Sequence, residues 1–146
     1  MPRSLVVLDD RLLVEHLTVG LPGRRPRAAL GTSTWWWYRA TRAAVVGAGG
    51  HLSGPFAQLG ATHQDAAIHS LLALPEEVAL PDPRQTVPTM ARLAQRHPKL
   101  NLMNLEAAAV GLADGVQLWI SEPASRGVLP DVLATELVDF RVVGLP

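Results

Sequence analysis

Residues 5–13 read Leu5-Val6-Val7-Leu8-Asp9-Asp10-Arg11-Leu12-Leu13. Four consecutive branched aliphatic residues without polar alternation are the pattern of a short parallel strand buried on both faces. The run stops at two aspartates. A carboxylate there can accept hydrogen bonds from the free N–H groups that open a helix, and it also suits the positive end of the helix dipole. The spacing predicts that helix over 11–17, with Leu12, Leu13 and Leu17 turned inward.

The rest of the chain extends the alternation. Residues 18–31 are rich in glycine, proline and arginine and read as an exposed loop. Thr32 or Ser33 can cap a second helix reaching about Val46, which Gly47, Gly49 and Gly50 end. Residues 51–74 read as a broken helical pair punctuated by Gly54-Pro55 and Gly60, with Ala66, Ala67, Leu71 and Leu72 as the inner stripe. A short strand is expected over 78–80 between Pro75 and Pro81. A helix over 84–97 carries Val87, Met90, Ala91 and Ala94 at helical spacing, widened by Leu93, with Pro88 near its first turn. Asn101 can cap a helix over 102–113 that Asp114-Gly115 ends. Strands are expected over 116–120 and 140–143, with a short helix over 130–137 between them. Strands alternating with helices imply an α/β fold. The expectation is a three-layer α/β/α sandwich around a central, mostly parallel sheet of about five short strands, in a single domain spanning 1–146.

Composition narrows the function classes. Of 146 residues, 48% are hydrophobic and 18% charged, enough to bury a core and too apolar for intrinsic disorder. The absence of cysteine excludes a disulfide scaffold, a thiolate nucleophile and a cysteine zinc site. No apolar stretch approaches the ~18 residues of a membrane span, and the apolar run at the start is too short for a signal peptide, so no membrane association and a cytoplasmic location are expected. The net charge is zero but unevenly spread. Residues 1–60 hold seven arginines against three acids, and residues 61–146 hold ten acids against six bases. That balance argues against a nucleic-acid coat protein while leaving room for a local basic patch.

In open parallel sheets, sites form beyond the carboxyl ends of the strands. Asp9 and Asp10 follow the first strand there, Ser121-Glu122 follow the strand over 116–120, and Asn104 sits in the first turn of its helix. Glu106, two residues further on, lies about 200° around that helix and cannot point with Asn104. Oxygen ligands of this kind suit Mg²⁺ or Mn²⁺, which can activate water for phosphoryl chemistry. Asp10 reads as the helix cap, and Asp9 as the carboxylate projecting into the edge crevice. Glu122, before a proline, is either a site residue or a solvated turn residue.

In order and spacing, nearly the whole chain resembles a PIN domain, the small nuclease fold of toxin–antitoxin toxins and RNA-processing enzymes. Residues 5–13 are similar to the family's strand, aspartate and helix. The stretch Leu100-Asn101-Leu102-Met103-Asn104-Leu105-Glu106-Ala107-Ala108-Ala109 resembles the helix that carries its third acid, and Val116-Gln117-Leu118-Trp119-Ile120-Ser121-Glu122 resembles the strand ending near its fourth. The resemblance implies a Mg²⁺- or Mn²⁺-dependent ribonuclease with Asp9, Asn104 and Glu122 as metal-binding and catalytic positions. The departures imply a degenerate one. No acid lies between Glu15 and Asp65, where the family places a glutamate, and Asn104 replaces a carboxylate with a neutral amide. Loss of ligand charge weakens divalent-ion affinity steeply. Val7-Leu8-Asp9-Asp10-Arg11-Leu12-Leu13 is also similar to the opening of a response-regulator receiver, but residues 44–58 hold no phosphoacceptor aspartate.

Trp35-Trp36-Trp37-Tyr38 is the most unusual stretch. Four successive helical residues cover about 300° of the circumference, so they cannot share one core. Two are expected to pack inward and the others to cover neighbours or to anchor a partner or a homodimer contact. Trp35, Trp36 and Trp37 are the candidates for that anchor. Arg24, Arg25, Arg27 and Arg39 are the candidate contacts to nucleic acid. The five histidines show no metal-ligand pairing, and Gly47-Ala48-Gly49-Gly50 lacks the lysine of a phosphate loop. The expected function is a degenerate PIN-like protein that binds a protein or RNA partner with weak or no nuclease activity. The protein partner would be an antitoxin-like or DNA-binding protein. The alternative is a Mg²⁺-dependent RNA endonuclease of the toxin type.

Overall fold

The computed structural model describes residues 5–18, 20–21, 29–46 and 61–144. The strands are β1 (Leu5–Leu8), β2 (Ala29–Thr32), β3 (Gln117–Ser121) and β4 (Phe140–Val143). The helices are α1 (Asp10–Thr18), α2 (Thr34–Val46), α3 (Ala61–Leu72), α4 (Pro83–Arg96), α5 (Leu102–Asp114), α6 (Glu122–Ser125) and α7 (Leu129–Thr135). The four strands form one sheet in the order β2-β1-β3-β4, and every pairing is parallel.

Helices cover both faces. On one, Val7, Leu118 and Ile120 pack with Leu93 of α4, Leu105 and residues 107–110 of α5, Leu129 and Leu133 of α7, and Trp36. On the other, Val6 and Leu8 meet Leu12 of α1, with Leu30, Trp119 and Val143 beside them. A second helical core joins α1, α2 and α3 through Leu13, Val14, Ala40, Ala43, Ala67 and Leu71.

Two strand expectations are corrected. Residues 29–31, in the segment whose composition predicts a loop, belong to strand β2 (Ala29–Thr32), which is paired along its length with β1. Its sequence, Ala-Leu-Gly-Thr, lacks the β-branched run that marks β1, and partnership with β1 supplies what propensity does not. The Thr32 hydroxyl also donates to the Leu8 carbonyl at 2.8 Å. The expected strand at 78–80 contributes a single bridge, Gly31 to Ala79, so the described residues hold four strands where about five were expected. A Cβ on Gly31 would stand 2.9 Å from the Ala79 carbonyl oxygen, so glycine is what admits that segment against β2.

The helix stripes are shifted. On α3, Ala67 and Leu71 are buried, but Ala66 and Leu72 face outward. On α4, Thr86 and Leu93 are buried, whereas Val87 is 57% exposed. Helix α5 follows expectation. Asn101 caps it by accepting from the Asn104 N–H at 2.8 Å, and Gly115, with φ 61°, ends it in the left-handed region. Among the described residues no helix is long and apolar enough to cross a membrane.

Candidate functional site

The chain leaves β1 for β2 on one side and later returns to place β3 on the other. Beyond the carboxyl ends of β1 and β3 this reversal opens a crevice, the usual place for a site in a parallel sheet. Asp9 directly follows β1 and is fully buried. One carboxylate oxygen accepts from the Leu12 N–H at 2.9 Å, and the other accepts from both the N–H and the hydroxyl of Ser121, each at 2.7 Å. Asp9 therefore caps α1 and ties β1 to β3. Burial, together with the neighbouring charge of Asp10, pushes its carboxyl up to about 6, partly offset by those three hydrogen bonds.

The expected roles of the paired aspartates are reversed. The helix starts at Asp10, so Asp9 is the capping position. Asp10 instead lines an open cleft of about 300 Å³. Its Oδ1 accepts from the Arg11 N–H at 2.9 Å, and Arg39 Nε stands 3.5 Å from its Oδ2. The Asp10 side chain is 5% exposed and that of Arg39 is 45% exposed, so the pair joins the cleft's interior to its rim. Arg39 Nη1 also donates to the Met103 sulfur at 3.4 Å. Asn104 lines the same cleft, as do the apolar side chains Trp36, Met103 and Leu129.

The remaining candidates divide. Glu122 opens α6 on the surface, and its carboxylate lies against Gly144 at the end of β4, outside the lining of the cleft. Trp36 is 1% exposed and belongs to the core, and Trp37 is half-buried with its indole N–H donating to the Leu71 carbonyl at 2.7 Å. Of the three tryptophans proposed as a partner anchor, only Trp35 remains on the surface. It is joined there by Tyr38, their rings meeting edge to face at 6.0 Å. Arg39 and Arg42 continue the same outer face of α2. Arg24, Arg25 and Arg27 lie outside the described residues, as does the glycine run at 47–50.

Two positions gained roles that the spacing did not assign. Asp10 faces the cleft. Glu106 is 4% exposed, and its Oε1 accepts from the Trp35 N–H at 2.8 Å. With the Ser33 hydroxyl oxygen accepting from the Trp36 N–H at 3.1 Å, the first turn of α2 is capped by its own serine and by a carboxylate from α5. The signal for Glu106 was an acid flanked by the apolar run Leu105 and Ala107 to Val110, which has to be paired when buried.

A divalent cation held by carboxylates, which the PIN resemblance implies, does not fit this donor set. Both oxygens of Asp9 are engaged by protein donors, Asp10 faces a guanidinium, Asn104 brings no charge, and Glu122 lies elsewhere. Among the described residues no three histidine, aspartate or glutamate side chains are grouped so as to hold a metal ion. No protein-family model matches the chain, and no curated protein matches it.

Proposed function

We propose that this protein is a degenerate PIN-like module of the cytoplasm that binds a partner with weak or no nuclease activity. The observation that carries this reading is the Asp10–Arg39 pair beside Asn104 in the cleft. A carboxylate neutralised by an arginine and an amide in place of an acid make a recognition surface, because hard-cation binding needs uncompensated negative charge. The exposed aromatic and arginine face of α2 adjoins the cleft through Arg39 and extends that surface toward a protein or RNA partner.

The test is incubation of the purified protein with single-stranded RNA and Mg²⁺ or Mn²⁺. No cleavage above background is the expected result, as is residual cleavage that persists unchanged in Asp9→Asn and Asn104→Ala. Cleavage by the parent protein that both substitutions abolish, with the fold retained by circular dichroism, would overturn the reading. It would install the toxin-type endonuclease instead, with an antitoxin-like or DNA-binding protein as its partner.

A further inference from the structure

We propose that the protein pairs with a second copy of itself through the edge of β4, the two strands running antiparallel about a two-fold axis at Phe140. Among the described residues the two edges of the sheet differ. The Ala79 bridge lies against β2, whereas β4 has β3 on one side and no strand on the other. The Leu118 N–H donates to the Asp139 carbonyl at 3.0 Å. Backbone groups alternate along a strand, so the N–H and C=O of Phe140 and Val142 turn away from β3. An unpaired row of that kind is a template for another strand, and β4 contains neither proline nor lysine to deter one.

The side chains choose the partner and the register. Residues 138–142 read Val138-Asp139-Phe140-Arg141-Val142, so charge reverses about Phe140 and an apolar residue stands at each end. Such a strand is its own complement when reversed. With Phe140 opposite its counterpart, Asp139 of each copy faces Arg141 of the other, and the 43% exposed Val142 comes opposite Val138. The two Phe140 residues then exchange a pair of backbone hydrogen bonds, and each Val142 N–H is set toward the Val138 carbonyl of the second copy. Asp139 and Arg141 are both exposed, and among the described residues neither makes an ion pair. Both are held on the face of the sheet that carries Gln117 and Trp119. One Asp139 oxygen accepts from the Gln117 amide at 3.0 Å, and the Arg141 guanidinium carbon stands 5.0 Å from the centre of the Trp119 ring. The second Asp139 oxygen and the guanidinium N–H groups remain for the other copy.

Neighbouring registers lack this match. An axis at Arg141 sets guanidinium against guanidinium, and one at Asp139 sets carboxylate against carboxylate. An axis at Val142 puts Arg141 opposite Val143 and leaves both charges without partners. A four-residue strand makes a small contact, so the dimer is a weak one that forms as concentration rises.

The full chain is examined by sedimentation equilibrium over a concentration series, with the fold of each variant checked by circular dichroism. The parent should shift from monomer to dimer, with no larger species. Asp139→Arg places arginine opposite Arg141, and Arg141→Asp places aspartate opposite Asp139, so each variant alone should associate ~10-fold or more weakly than the parent. Mixed in equal amounts, the two variants restore both opposite-charge pairs and should form a heterodimer with roughly the parent affinity. Val142→Pro removes an N–H that the chain does not use for its own sheet, and it should leave a folded monomer. Trp35→Ala should dimerise as the parent does. A parent that stays monomeric throughout, a mixture that associates no better than its components, or a Val142→Pro protein that dimerises like the parent would overturn the proposal. So would a dimer that Trp35→Ala dissociates while the β4 variants leave it intact. RNA cleavage by the protein bears on the reading of the cleft and leaves these association results to decide the pairing.

Discussion

Asp9 holds the sheet together at a cost that depends on pH. Its carboxyl is pushed from 3.8 up to about 6 by burial and by Asp10. The folded state therefore keeps the proton over a range in which the unfolded chain has lost it. Stability from this group is fully present below the unfolded value, falls as pH rises, and is lost once pH passes about 6. At about 1.4 kcal/mol per pH unit, the loss across that window is on the order of 3 kcal/mol. Urea unfolding of the parent protein and of Asp9→Asn at pH 4 and pH 7.5 tests this. The parent should lose roughly that much stability relative to the variant, and parallel pH profiles would refute it. A second residue carries backbone strain. Leu137, with φ 58°, sits just past the end of α7, where its N–H bonds to the Ala134 carbonyl and the Val138 N–H to that of Leu133. That is the helix-ending position glycine prefers, and the Leu137 side chain is 91% exposed, with little packing to lose. Leu137→Gly should stabilise the fold by up to about 1 kcal/mol, read as a higher urea midpoint with an unchanged slope.

At the scale of the element, α2 has two sides with different tasks. Trp36 is packed among Val7, Leu93 and Leu129, whereas Trp35 is 36% and Tyr38 55% exposed. Trp36→Ala should cost about 3–5 kcal/mol, the usual cost of deleting a buried aromatic side chain. Trp35→Ala should cost less than about 1 kcal/mol while weakening partner binding. Comparable losses of stability in the two variants, measured by urea unfolding, would contradict this division. Close approach also fixes α5. A Cβ at Gly111 would come within 2.3 Å of Val138 Cγ1, so the helix can lie against the segment before β4 only with glycine there. The outer ends of α4 and α7 are clamped by Glu136, whose carboxylate accepts from Arg96 and meets His97 Nε2 at 2.9 Å. The Arg96 hydrogen bonds, followed by that of His97, hold the Glu136 carboxyl below the usual carboxylate range.

For the whole molecule, the legible elements were those whose burial is written in local pattern. β1, α1, α5 and β4 were readable because unbroken aliphatic runs, capping residues and a terminal glycine all act within a few residues of one another. β2 was not readable. A short strand with a glycine inside it owes its pairing to a neighbour far along the chain, and local propensity carries no record of that neighbour. Likewise the bridge at Ala79 forms where Gly31 leaves room for it.

The site divides along the same line. Asp9, Asp10, Asn104 and Glu122 were placed near one edge of the sheet by strand ends and helix starts, which a sequence does encode. Which of them share a cleft was decided by tertiary structure, because side-chain direction depends on where a helix begins and on what packs against it. A start at Asp10 made Asp9 the cap and turned Asp10 toward Arg39, a residue 29 positions away in sequence. The sequence by itself determined an α/β chain with polar groups at the carboxyl ends of its strands. Only the folded structure decided that Asp9 would be spent on holding β1 to β3 and that Asp10, Arg39 and Asn104 would face one opening. The reason is that periodicity and capping are local, whereas the pairing of charges and the closing of a cleft depend on contacts between distant segments.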